Sequence, residues 1–360
     1  MTITAPAPTR IAPARPTISV GGHASASLSQ GLLALRVLET VEGLSSCEAG
    51  FGNRGARENR LGFLYFDRRT LDFGVALDIA VGGGDIFRGR VTALEGDFPA
   101  GEPSRITVLA EDRCQDLRMT RRTRTFADVT DADVMRKVAA EHGLTADVEV
   151  PGPKHRVLAQ LNQSDLAFLR DRARAVEAEL WTDGSTLFAR PRAGRSSPPV
   201  TLGLGNELRE LRVGADLSAQ RTGLTVSGWD VAGKRPLAET AGESVIAAEV
   251  RGGESGPGTL SAVFGRRPES VVSTVPLNPA EAQARAETLF RRMARRFVSG
   301  RGVAEPQVRL RAGTTVRLEG LGELFSGEYY VTEVVHLFDD EEGLRTEFCV
   351  ERAGLGGGSR

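Results

Sequence analysis

The sequence predicts an α+β chain that is mainly β, with a small α+β insert between two β-rich segments. Three observations predict it. Short apolar runs separated by Gly and Asp turns recur through residues 17–117 and resume after residue 199, a spacing typical of antiparallel strands. Only three segments carry the 3.6-residue apolar period of a helix. Two of those three lie together, within residues 118–192.

The chain has 360 residues, 26% of them charged and 40% hydrophobic, with a formal net charge of -1. That is ordinary for a globular protein long enough for two or three domains. A balanced charge exerts no global pull toward nucleic acid or anionic membrane. Cys47, Cys114 and Cys349 are far apart and odd in number, which argues against a disulfide framework or a thiolate zinc site and fits a reducing cytosol. No window approaches the roughly 18–20 apolar residues that span a bilayer, so no membrane insertion is expected.

Taken in order, residues 1–16 read as a Pro/Ala-rich disordered arm without the apolar core of a signal peptide. In residues 17–117 the runs "LLALRVLETVEG", "RLGFLYFD", "LDFGVALDIAVGGGDIFRGRVTALEGDF" and "SRITVLAED" predict an antiparallel barrel or sandwich. "VGGGDIFRG" leads into a β pattern, not into a helix opened by Lys-Ser/Thr, so it reads as a strand turn and not a phosphate loop.

The insert follows. "DVTDADVMRKVAAEHGL" places Thr130 as an N-cap, Val134, Val138 and Ala139 on an apolar side, and Gly143 as the stop. "DVEV" at 147–150 is a short strand, and "HRVLAQLNQ" an extended lead-in to a second helix. Ser164 caps that helix, Asp165 sits favourably at its positive end, and Leu166, Leu169, Ala173, Val176 and Leu180 form one stripe. "AELWTDGSTLFARP" then predicts a hairpin turning at Asp183-Gly184.

Residues 192–199 read as a linker, and residues 200–354 as a second β segment. Within it, the Gly/Ser stretch 250–270 predicts a mobile loop, and a third helix is expected over 279–298. Asn278 caps that helix, Pro279 opens it, Gly300 stops it, and its apolar side runs Ala282, Ala286, Leu289, Phe290, Met293, Phe297. In "YYVTEVVHLF", Tyr330, Thr332, Val334 and His336 are expected on one strand face. The tail, residues 355–360, is expected to be flexible.

The chemistry-bearing residues do not assemble into a catalytic set. His23, His142, His155 and His336 belong to no metal-ligand spacing, and a GxSxG elbow is absent. The arginines of the third helix and of "RMTRRTRTF" lack the aromatic platform of a nucleic-acid groove and read as solvated or protein-facing. Asp171, Glu177 and Glu179 interleave with Arg170, Arg172 and Arg174 at the spacing of local helix pairs. No catalytic, metal or cofactor residue is assigned, and no cofactor is expected.

"QLNQSDLAFLRDRARAVEAELWTDGSTLFARP" resembles the signature of the phage late control protein D / VgrG-like baseplate hub family, whose members carry an "ESDLxFLxRLAEExGxxxxxDGxxLxF"-like segment. Ser164, Asp165, Leu166, Phe168, Leu169, Asp183 and Gly184 fall on that motif. "IFRGRVTALEGDF", "GTTVRLEGLGELFSGEYYVTEVVHLFD" and "LRTEFCVER" resemble further family segments. The resemblance implies two β-barrel-like hub domains around the insert. It further implies a homotrimeric ring that adapts the sixfold inner tube of a contractile tail or injection system to a threefold spike, without a reaction. Its partners would be itself, the tube or a tube-initiator protein, a spike on a separate chain, and other baseplate components. Assembly in the bacterial cytoplasm, then residence in the baseplate, follows. Two other readings compete: a peptidoglycan-cleaving tail enzyme using Glu177 or Asp183, and a receptor-binding module acting through the 250–270 loop.

Overall fold

A computed structural model describes residues 15–57, 60–195, 198–231, 233–250, 252–273 and 278–356. Of the arm expected over 1–16, residues 1–14 lie outside the described residues, as do residues 357–360 of the tail. Arg15 is anchored by bonds to the carbonyls of Ser29 and Leu32, at 2.9 and 2.7 Å.

The first lobe contains β1 (Thr17–Val20), β2 (Leu32–Thr40), β3 (Ser46–Gly52), β4 (Ala76–Val81), β5 (Gly84–Asp97) and β6 (Arg105–Glu111). Alternation puts Leu77, Ile79, Val81, Ile106, Val108 and Ala110 inward, against Ile18, Leu35, Val37 and Phe51. β5 alternates poorly because its register slips twice: once against β4 at Ile79/Ala80, once against β6 at Val91/Ala93. Each bulge re-aims the side chains beyond it. Gly82 and Gly83, both at positive φ, turn the chain between β4 and β5.

The insert contains β7 (Arg121–Val129), α1 (Asp131–Glu141), β8 (Thr145–Val148), β9 (His155–Ser164), α2 (Asp165–Ala175), β10 (Ala178–Asp183) and β11 (Thr186–Pro191). Strand 147–150 of the sequence reading thus lies two residues earlier. Thr130 and Asp133 form a reciprocal capping box at the start of α1. β7 pairs with β9, and β11 lies between β8 and β10. Val134, Met135, Val138, Leu166, Leu169, Ala173, Leu180 and Leu187 share one core, with Phe126 stacked on Phe168 at 5.8 Å. Leu180 is a correction: α2 ends at Ala175, Glu177 takes a left-handed φ of 55°, and Leu180 reaches the core from β10.

The second lobe contains β12 (Val200–Gly203), β13 (Leu208–Ala215), β14 (Gly223–Asp230), β15 (Arg235–Gly242), α3 (Gly256–Phe264), β16 (Pro268–Val272), α4 (Pro279–Ala294), β17 (Val298–Ala304), β18 (Thr315–Glu319), β19 (Gly327–Asp339) and β20 (Gly343–Arg352). Three expectations fail here. The stretch 250–270 is not a loop: it holds α3 and most of β16. Gly256 serves close packing, since a Cβ there would meet Gln220 and Phe297 at 2.6 and 2.7 Å. α4 stops at Ala294, not 298, and Gly300 lies within β17, where a Cβ would meet the Arg212 carbonyl at 3.0 Å. Thr332 does not share a buried face with Val334 and His336, because a bulge at Val331/Glu333 moves burial from Tyr329 and Val331 to Val334, His336 and Phe338.

β2 and β19 join the lobes, running antiparallel from Glu333↔Thr40 to Asp339↔Ala34. One large sheet therefore runs β13-β17-β20-β19-β2-β3-β6-β5-β4-β1, with β18 and β12 branching from β19. Each arm of the sheet leaves the junction through a hairpin, β2–β3 on one side and β19–β20 on the other. The arms keep separate cores, and α4 packs a further core against β14 and β15.

Candidate functional site

α2, the most motif-like segment, opens on a buried carboxylate. Asp165 is fully buried and accepts from Arg122 Nε at 3.1 Å, Arg124 Nη2 at 2.9 Å and Gln160 Nε2 at 2.8 Å, with His142 Nε2 also at 2.8 Å. Burial pushes its carboxyl up, but the bonds from His142 and Gln160 and the charges of Arg124 and Arg122 together hold it below the usual carboxylate range. Asp165 is therefore more than the first-turn charge read from sequence: it ties β7, β9, α1 and α2 together. Arg122 and Arg124 belong to the basic run that the sequence reads as solvated or protein-facing.

Asp131, at the start of α1, is the second such point. Arg172 Nη2 donates to it at 3.0 Å, and His155 Nε2 stands at 3.2 Å. His155 Nδ1 in turn lies 3.6 Å from Glu281 of α4. The expected local pairing on α2 holds only for Arg174 and Asp171, at 3.3 Å. Elsewhere the charges reach across the fold. Arg170 donates to the carbonyls of Glu42 and Gly43, at 2.7 and 2.8 Å. Glu177 accepts from Arg291 at 2.5 Å and Arg295 at 3.1 Å, and Glu179 accepts from Arg195 at 2.8 Å. Sequence spacing alone could not reveal the partners of Arg170 and Glu177, which lie more than 100 residues away.

A cleft of about 1150 Å³ opens where both lobes meet the insert, lined in part by Arg170, Arg174, Arg212, Arg292, Arg296 and Arg301. Its glutamates are already engaged: Glu42 by Arg174, Glu177 by Arg291 and Arg295, Glu179 by Arg195, Glu333 by Arg301, Glu351 by Arg192. General acid–base work needs a carboxylate aimed at a substrate; these are aimed at guanidiniums and fasten the units together. Asp183 sits at the exposed hairpin tip with Arg88 at 3.7 Å, outside the cleft. Gly184 beside it supplies the positive φ the turn requires. Burial pushes the Cys114 thiol up to about 12 and raises Cys47 likewise, so neither is a ready thiolate nucleophile. Among the described residues no three His, Cys, Asp or Glu side chains gather as a metal site, and no helix is long and apolar enough to cross a membrane.

A family model described as the Alg8 N-terminal domain matches residues 63–340. The description names a domain and no reaction. No curated protein matches. The chain is similar in structure to the 43 kDa tail protein of prophage MuSo2 from Shewanella oneidensis, at 16% identity and a TM-score of 0.71 over 94% of this chain and 98% of that one. It is similar to a tail protein from Neisseria meningitidis, at 13% identity and 0.69 over 95% and 98%. It is also similar to an E. coli component of the type VI secretion system, at 12% identity and 0.57 over 89% and 73%, itself described as resembling T4 bacteriophage tail proteins gp27 and gp5. The chain thus has the mainly β fold of phage tail proteins and their secretion-system counterparts.

Proposed function

The chain belongs to the Alg8 N-terminal domain family, and from its tail-protein fold we propose that it is a structural hub of a contractile tail or injection-system baseplate. Three copies form a ring that matches the sixfold inner tube on one side and a threefold spike on the other. One observation carries this reading. Two sheet arms diverge from the β2–β19 junction, each through a hairpin and each with its own core. Two β lobes per chain, taken three times, give six lobes to set against a tube, while the ring itself keeps threefold symmetry.

The protein acts by shape and binds its neighbours; it carries out no reaction. The guanidinium-bound carboxylates of the cleft support this, since they stiffen the joint between lobes and insert. Its partners are further copies of itself, the tube or its initiator, a spike on a separate chain, and other baseplate proteins, met during assembly in the bacterial cytoplasm. Copy number tests the proposal. Quantitative mass spectrometry or imaging of purified particles should give three copies per baseplate; any other number overturns it.

A further inference from the structure

The cleft carries more positive charge than its own acids answer. Arg212 on β13 and Arg292 and Arg296 at the end of α4 are exposed, line the cleft, and have no ion pair among the described residues. Asp216, the remaining acid there, accepts from the Ser218 backbone N–H at 2.7 Å and hydroxyl at 2.8 Å, and its single charge is outnumbered by these three arginines. Among the described residues no aromatic side chain lines the cleft, so they offer nucleic-acid bases no stacking surface. A row of guanidiniums without rings suits the carboxylates of a polypeptide.

The same chain presents such carboxylates. Asp339, Asp340, Glu341 and Glu342 form its longest acidic run, at the turn between β19 and β20. Arg345 bonds Asp339 and Glu342, at 2.7 and 3.1 Å, and Arg15 stands 3.8 Å from Asp340. Glu341 has no ion pair among the described residues, and the Asp340 and Glu342 side chains remain 60% and 63% exposed. Arg209 also feels Glu342 but is already held by Glu305 at 2.7 Å, so the four carboxylates outnumber the guanidiniums left to answer them and the turn stays negative. Cleft and turn also stand apart on one hairpin. Glu333 and Glu351 line the cleft, whereas the turn begins at Asp339, about 20 Å along the strand at ~3.3 Å per residue. One molecule cannot fold its own turn back into its own cleft across a paired strand.

We propose that the acidic turn 339–342 of one copy docks in the Arg212–Arg292–Arg296 cleft of the next. Such a contact is head-to-tail, and a head-to-tail contact that closes makes a ring. Opposite charges on the two faces also select that orientation over cleft-to-cleft or turn-to-turn approach. The inference rests on the homotrimer proposed above and adds which surfaces meet.

The test is the oligomer mass of the full chain by light scattering, over a range of concentration and salt. Four proteins are compared: wild type, Arg212→Glu/Arg292→Glu/Arg296→Glu, Asp340→Arg/Glu341→Arg/Glu342→Arg, and the chain carrying all six changes. Wild type should be trimeric, and less so as salt rises. Either triple variant should associate at least tenfold more weakly while its far-UV circular dichroism stays that of wild type, because the changed side chains are exposed. The six-fold variant, with both signs reversed, should regain the trimer. A wild-type monomer at every concentration overturns the trimer and this contact with it. A wild-type trimer that survives either triple change overturns the contact alone, as does failure of the combined variant to recover. Tight binding of single-stranded DNA in the cleft, lost with the three arginines, would assign it to nucleic acid instead.

Discussion

His142 Nε2 lies 2.8 Å from the buried carboxylate of Asp165, although the two residues belong to different elements 23 positions apart. With Arg122 and Arg124 on the same carboxylate, Asp165 is the point at which the insert is fastened. Asp165→Ala leaves Arg122 and His142 without their buried acid and Arg124 with Glu141 alone. Breaking a buried pair from one side costs about 3–5 kcal/mol, and that loss is expected in urea unfolding. A loss below about 1 kcal/mol would mean that solvent replaces the carboxylate at little cost and that the network is not structural.

Apolar packing in the insert should give a comparable effect by another route. Leu169 is fully buried in the α1–α2 core, whereas Leu161 on β9 is 65% exposed. Leu169→Ala should cost about 2–5 kcal/mol and Leu161→Ala almost nothing. Leu169→Asp, which buries an unpaired charge, should unfold the insert outright. Equal melting temperatures for Leu169→Ala and Leu161→Ala would remove α2 from the core.

Local signals were legible in the sequence, and long-range ones were not. Ser164, Thr130 and Asn278 each cap the helix their spacing announces, because a cap depends on three or four neighbouring residues. The hairpin at Asp183-Gly184 was legible for the same reason. Leu180 was misplaced because the apolar period runs on past Glu177, whose backbone leaves the helix. Gly256 and Gly300 looked like breaks in structure, yet each lets a distant partner approach. The ion pairs of Glu177 and the β2–β19 junction have no local trace at all, since their partners are found only once the chain is folded.

Glu177 separates the structural reading from the enzymatic one. Its carboxylate bridges Arg291 and Arg295 from outside their helix, so Glu177→Gln should weaken the hold of the insert on α4 by roughly 2 kcal/mol, as expected for charge-assisted bonds. Limited proteolysis between residues 192 and 199 should then speed up. Cell-wall zymograms should be blank for both proteins. Clearing by wild type that disappears with Glu177→Gln or Asp183→Asn would identify a hydrolase.

His336 gives the fold a pH dependence of known sign. It is buried in β19, 3.1 Å from the Thr346 hydroxyl, and burial together with the Arg311 charge pushes its pKa down to about 3. The unfolded chain takes up a proton near the ordinary value of about 6.5, whereas the native state does not until far lower pH. Its contribution is thus fully present above about pH 6.5 and is lost progressively as pH falls toward 3. Between pH 6.5 and 4.5 wild type should lose about 2 kcal/mol more than His336→Gln, which keeps a polar group beside Thr346 and does not titrate. Urea unfolding of the two proteins across that interval measures the difference. Parallel curves would mean that His336 is protonated in the native state and that Arg311 is not the charge it feels.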